Sequence, residues 1–110
     1  MEQLVERFLR YVKVDTHSDE KSEACPSTRA QLEFAQMLVK ELEQIGLKDI
    51  DLDENGYIMA TLPSNTDKNV PVIGFIAHLD TSPDISASPV HPKVFDTYFG
   101  KPLLLNEKKN

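Results

Sequence analysis

An apolar run, Val70-Pro71-Val72-Ile73-Gly74-Phe75-Ile76-Ala77, stops at the imidazole of His78, and the carboxylate of Asp80 follows with Leu79 between them. In extended backbone alternate side chains fall on one side, so His78 and Asp80 can face the same way. These residue types suit a metal site. A neutral imidazole binds zinc through one ring nitrogen while its other N–H donates to a carboxylate that fixes tautomer and orientation. A plainer reading starts from the same letters: Asp80, Thr81, Ser82 and Pro83 are turn formers, and His78 can be a hydrogen-bonded residue at the end of a strand. His-x-Asp is a short pattern, and spacing alone favours the turn. Whether Asp80 reaches the ring or orders the turn is not decided by spacing.

The other reactive side chains carry weaker signals. His17 stands in a polar loop with Asp15, Ser18, Asp19 and Glu20, which reads as solvated. His91 is flanked by Pro89 and Pro92 and reads as a loop residue. No Cys-x-x-Cys or His/Cys zinc spacing is present, and no Gly-rich phosphate loop. Ser82 lacks the strand-turn-helix context of a serine nucleophile. Cys25 is the single cysteine, so an internal disulfide is impossible. A lone thiol with no activating base in view fits a reducing compartment, and the cytoplasm is the expected location.

The elements that must position these residues follow from periodicity. Leu4, Val5, Phe8, Leu9 and Val12 form one apolar stripe of a first helix, with Arg7, Arg10 and Lys13 on its other side. A loop rich in Asp, Ser, Thr and Pro follows. Thr28 and Gln31 have the capping-box spacing for a second helix, along which Leu32, Ala35, Leu38, Val39, Leu42 and Ile45 recur; Gly46 is the expected left-handed stop. Alternation then predicts strands over about 49–53 and 57–62, joined through Asn55-Gly56. The run from Val70 to Ala77 predicts a third strand buried on both faces, with His78 at its carboxyl end, where ligand sites of open α/β sheets lie. Leu103–Leu105 is a candidate short strand. The fold class is thus α/β or α+β: two N-terminal helices, then a hairpin and a buried strand.

At 110 residues the chain accommodates one modest domain. A net charge of −6 argues against a nucleic-acid partner. No apolar run approaches the roughly 20 residues that span a bilayer, and "MEQLVERFLR" has no secretory h-region, so no membrane partner is expected.

The segments "RYVKVDTHSDE", "CPSTRAQLEFAQMLVKELEQIGL", "DENGYIMATLP" and "VIGFIAHLDTSPD" together resemble the two-zinc metallopeptidase family, with weaker likeness through "YFGKPLLLNE". "HLDTSPD" after an apolar strand is specific for the superfamily, and "VDTHSDE" with "CPST" points to its tripeptide aminopeptidase branch. By this resemblance His78 is the ligand of one zinc and Asp80 the active-site carboxylate that clamps it. The complete enzyme would hold two zinc ions and act on small peptides. A bridging aspartate, further ligands and a glutamate general base would lie beyond Asn110, leaving one incomplete zinc site here. Residues 1–110 therefore read as the N-terminal part of a larger α/β/α catalytic domain, a fragment expected to bind zinc weakly and to be inactive alone. One histidine equally suits cobalt or manganese. A dipeptidase or N-acyl amino acid deacylase would share the pair, and a non-catalytic, truncated interaction module is the reading from another class. An uncovered strand edge at Val70–Ala77 would favour self-association.

Overall fold

The computed structural model describes residues 2–86 and 88–104. Helix α1 spans Glu2–Tyr11 and helix α2 Arg29–Ile45; strands β1, Lys48–Leu52, and β2, Ile58–Thr61, form an antiparallel pair. The two helices and the hairpin thus bear out the α/β reading in order and in place.

Helix α2 stops as its sequence dictates. Gly46 takes φ 101°, its N–H donates to Glu43 O, and the Leu47 N–H reaches back to Leu42 O, so the orphan carbonyls of the last turn are satisfied. The chain reverses into β1, which pairs Lys48 with Thr61, Asp51 with Met59 and Leu52 with Ile58. An irregularity between Lys48 and Asp51 places Asp49 at φ 49°. At the hairpin tip Asn55 is not left-handed. Gly56 alone takes positive φ, 83°, within a three-residue loop closed by Asp53 N–H to Tyr57 O and Gly56 N–H to Asp53 O. The Asp53 carboxylate accepts from the amides of Asn55 and Tyr57, which fixes the loop from inside.

The expected capping box is not made. Thr28 has the extended backbone of an N-cap, yet its hydroxyl makes no cap bond and donates to His17 O instead. Gln31 turns its carboxamide toward Thr16 and His17. Both side chains serve the preceding loop, whose carbonyls at Thr16 and His17 have no helical partner of their own.

The core is small: among the described residues Phe34 and Ala35 of α2 are the buried hydrophobics, and Tyr11 meets Phe34 edge-on with ring centroids 5.5 Å apart. The apolar stripe of α1 is not what docks it, for Leu4, Val5 and Phe8 stay exposed. The opposite, polar side does the work. Glu41 on α2 gathers Arg7, at 3.1 Å, together with Arg10 and the Tyr11 hydroxyl. Burial and then the Glu41 carboxylate push the Tyr11 phenol up to about 12. The Tyr11 hydrogen bond, then Arg10 and Arg7, hold Glu41 below the usual carboxylate range.

The largest departure concerns residues 70–77. They form no strand and are not buried: Val72, Ile73, Phe75 and Ile76 are 99, 73, 94 and 102% exposed. A strand exists only by pairing, and β2, the nearest candidate, pairs with β1 alone among the described residues. Leu103 and Leu104 are not in a strand either, and Leu105 lies outside the described residues. The radius of gyration, 17.6 Å, exceeds the roughly 13 Å of a compact chain of this length. The accessible surface, 9969 Å², exceeds the roughly 6,100 Å² of a folded monomer of this mass. Among the described residues no helix is long and apolar enough to cross a membrane.

Candidate functional site

Although its strand is absent, the couple at 78 and 80 forms. His78 Nδ1 lies 2.9 Å from Asp80 Oδ1, and the ring is 84% exposed. A carboxylate only accepts, so Nδ1 carries the proton and the lone pair of Nε2 points outward, free for a ligand in the neutral ring. This is the orientation that a metal-binding imidazole needs. Asp80 therefore reaches its neighbour's ring, and the turn is made by the next residues: the Ser82 hydroxyl donates to Asp84 Oδ2 and accepts from the Asp84 amide.

The segment carrying the couple is held from the other end of the chain. Thr81 N–H donates to Thr16 O at 3.1 Å, Ser18 N–H to Thr81 O at 2.9 Å, and the Ser18 hydroxyl to the same Thr81 carbonyl at 3.1 Å. These bonds make a single parallel rung, His17 beside Thr81. Thr16 is buried at the junction.

A second histidine–carboxylate pair lies at this rung. His17 Nδ1 is 2.7 Å from Asp15 Oδ1, which also accepts from the His17 amide. The hydrogen bond from the ring, reinforced by that from the amide, holds the Asp15 carboxyl below its ordinary value. The reading of His17 as a solvated loop residue missed this partner; the signal was Asp-x-His, the reverse of the spacing at 78–80. His17, Ser18, Asp19 and Lys21 face Pro83 and Asp84 across an open cleft of about 360 Å³. His91 is exposed, as expected of a loop residue, and so is the free thiol of Cys25. No group of three or more His, Cys, Asp or Glu able to hold a metal ion occurs among the described residues.

No protein-family model matches the chain. Individual relatives do. A protein named peptidase T from Geobacillus thermodenitrificans is 55% identical over 109 residues, covering 99% of this chain and 26% of the relative. Peptidase T of Clostridium botulinum is 56% identical over 110 residues, covering 100% and 27% respectively. Peptidase T of Geobacillus kaustophilus is 55% identical over 108 residues. The chain is homologous to peptidase T along its whole length. It spans about a quarter of the length of these relatives. The motifs quoted above for the tripeptide aminopeptidase branch thus lie in a chain whose relatives carry a peptidase name.

Proposed function

We propose that this chain supplies one metal-ligand couple, His78 with Asp80, to a zinc-dependent aminopeptidase that releases the N-terminal residue of tripeptides. What carries the reading is the 2.9 Å contact between Asp80 and Nδ1 of an exposed His78, in a chain homologous to peptidase T. The donor chemistry fits zinc: an imidazole with its outer nitrogen open and its inner N–H held by a carboxylate. The donor count does not complete a site, because a catalytic zinc typically takes about three protein ligands plus water. His78 would hold the ion through Nε2, and Asp80 would keep the ring in that tautomer and prevent its rotation. When bound, zinc supplies Lewis-acid activation of the peptide carbonyl and of water. Taking a proton from the attacking water and passing it to the departing amine would need a general base that then acts as the acid, a role left to groups beyond this couple. The chain alone is therefore expected to bind zinc weakly and to leave tripeptides intact. A reducing, cytoplasmic setting accords with the free, exposed Cys25 thiol.

The test is a zinc titration of the purified chain followed by NMR at each imidazole, with tripeptide hydrolysis assayed in parallel. The His78 ring should respond at lower zinc concentration than His91, with no turnover. Equal response of the two rings would remove the metal role; chelator-sensitive turnover would overturn the inactivity. A second reading, an interaction module, is favoured by one observation: the exposed apolar side chains at 72–76. In that reading the partner is a second copy, joined through this run.

A further inference from the structure

We infer that Gln31 is a positioning residue for the His78–Asp80 couple, acting through the backbone of Thr16, His17 and Thr81. The inference rests on the metal-binding reading of that couple, but its geometry can be tested separately. Gln31 sits in the first turn of α2 and is, among the described residues, one of two buried polar ones, the other being Thr16. A glutamine at this position would ordinarily reach back to the N-cap amide. Here Nε2 is directed at Thr16 O at 3.4 Å, His17 O at 3.1 Å and Ser27 Oγ at 3.2 Å.

The acceptors explain the choice. Thr16 O receives the Thr81 amide as well as Gln31, so the carboxamide and the backbone next to Asp80 meet at one oxygen. His17 O receives Gln31 and the Thr28 hydroxyl, at 3.0 Å, which occupies both lone pairs. The path is short: α2 sets Gln31, Gln31 sets two carbonyls, one of these sets Thr81, and Asp80 is the adjoining residue. Beyond the rung, the Asp80 carboxylate orients His78. Without the Nε2 donor, Thr16 O keeps only the Thr81 amide and His17 O only the Thr28 hydroxyl. The loop is then held less firmly, and Thr81 with it.

The experiment uses the 15N-labelled full chain and three forms: the parent, Gln31→Met, which keeps the length of the side chain without its donor, and Thr28→Val, which removes one donor to His17 O alone. Three quantities are read: exchange of the Thr81 amide, the imidazole 15N shifts of His78, and zinc binding at the His78 ring. Gln31→Met should speed Thr81 exchange by about tenfold or more. It should move the His78 shifts away from those of an Nδ1-protonated ring and weaken zinc binding by about 10- to 100-fold. Amides of Gly56 and Tyr57 in the hairpin should keep parental exchange rates. Thr28→Val should shift Thr81 and His78 the same way by less, and it decides the matter if Gln31→Met fails to fold. Unchanged Thr81 exchange and His78 shifts in a folded variant would overturn the inference. So would equal loss of protection in the hairpin, which would make Gln31 a general stabiliser. If the parent binds no zinc at His78, the metal reading falls while exchange and tautomer still decide the positioning.

Discussion

Replacing Ile76 by lysine tests the exposed run most directly. Val72, Ile73, Phe75 and Ile76 stand almost wholly in water, and covering each would contribute about 1.5–3 kcal/mol. Four such residues give roughly 6–12 kcal/mol in favour of association. Against this stand the loss of translational and rotational freedom and the ordering of side chains, at about 4 kcal/mol or more. The net is about −2 to −8 kcal/mol, so the chain should self-associate with a Kd no tighter than about 1 μM. Ile76→Lys removes one of the four contributions and brings a charge into the contact, weakening association by roughly 10- to 100-fold. Sedimentation velocity over about 1 μM to 1 mM covers the stronger part of this range, about −4 to −8 kcal/mol. Ile85→Lys, at another exposed apolar residue outside the run, should leave the profile unaltered. Equal effects of the two lysines would refute the reasoning, and a monomer throughout this range would place the net weaker than about −4 kcal/mol. Nanomolar association would refute it too, because four side chains cannot supply that much.

The remaining predictions concern the polar contacts. Asp80→Asn should change unfolding free energy by less than about 0.5 kcal/mol, since an exposed pair adds little to stability, yet lower zinc affinity at His78 by about 10- to 100-fold; urea melts with the NMR titration separate the two. Glu41→Ala should destabilise the chain by about 2 kcal/mol in the same melts, because it strands Tyr11, Arg7 and Arg10 together. The carboxyls of Glu41 and Asp15 are both lowered on folding, so the stability they confer is present above their unfolded values near pH 4 and is lost as pH falls through the folded ones. Tyr11 runs the other way: its share is present below about pH 10 and is lost as pH rises toward about 12, and Tyr11→Phe should abolish that alkaline loss in a pH series of thermal melts.

What was legible in the sequence was what neighbouring residues decide among themselves. Gly46 ends α2 because its φ favours no other residue type, and Asn55-Gly56 marks the hairpin tip even though only Gly56 becomes left-handed. His78 and Asp80 meet because one residue of separation suffices. The strand at 70–77 was not legible in the same sense: its composition states a preference, but only a paired neighbour realises it. Thr28 and Gln31 were assigned to their own helix by spacing, whereas two carbonyls some fourteen residues earlier compete successfully for the Gln31 amide. The contact of Asp15 with His17 was as local as that at 78–80 and could have been read from the same rule.

The rung between His17 and Thr81 joins segments 63 positions apart, counted from Ser18 to Thr81. The intervening stretch is not free chain, because α2, β1 and β2 already order much of it, so closing it costs less entropy than a flexible loop of that length would. Nor does the rung stand on its own bonds alone, for Gln31 and Thr28 brace the carbonyls behind it. A molecule that touches Lys21 and Asp84 at once would act as a clasp, favouring the state in which the rung is made without altering either histidine couple.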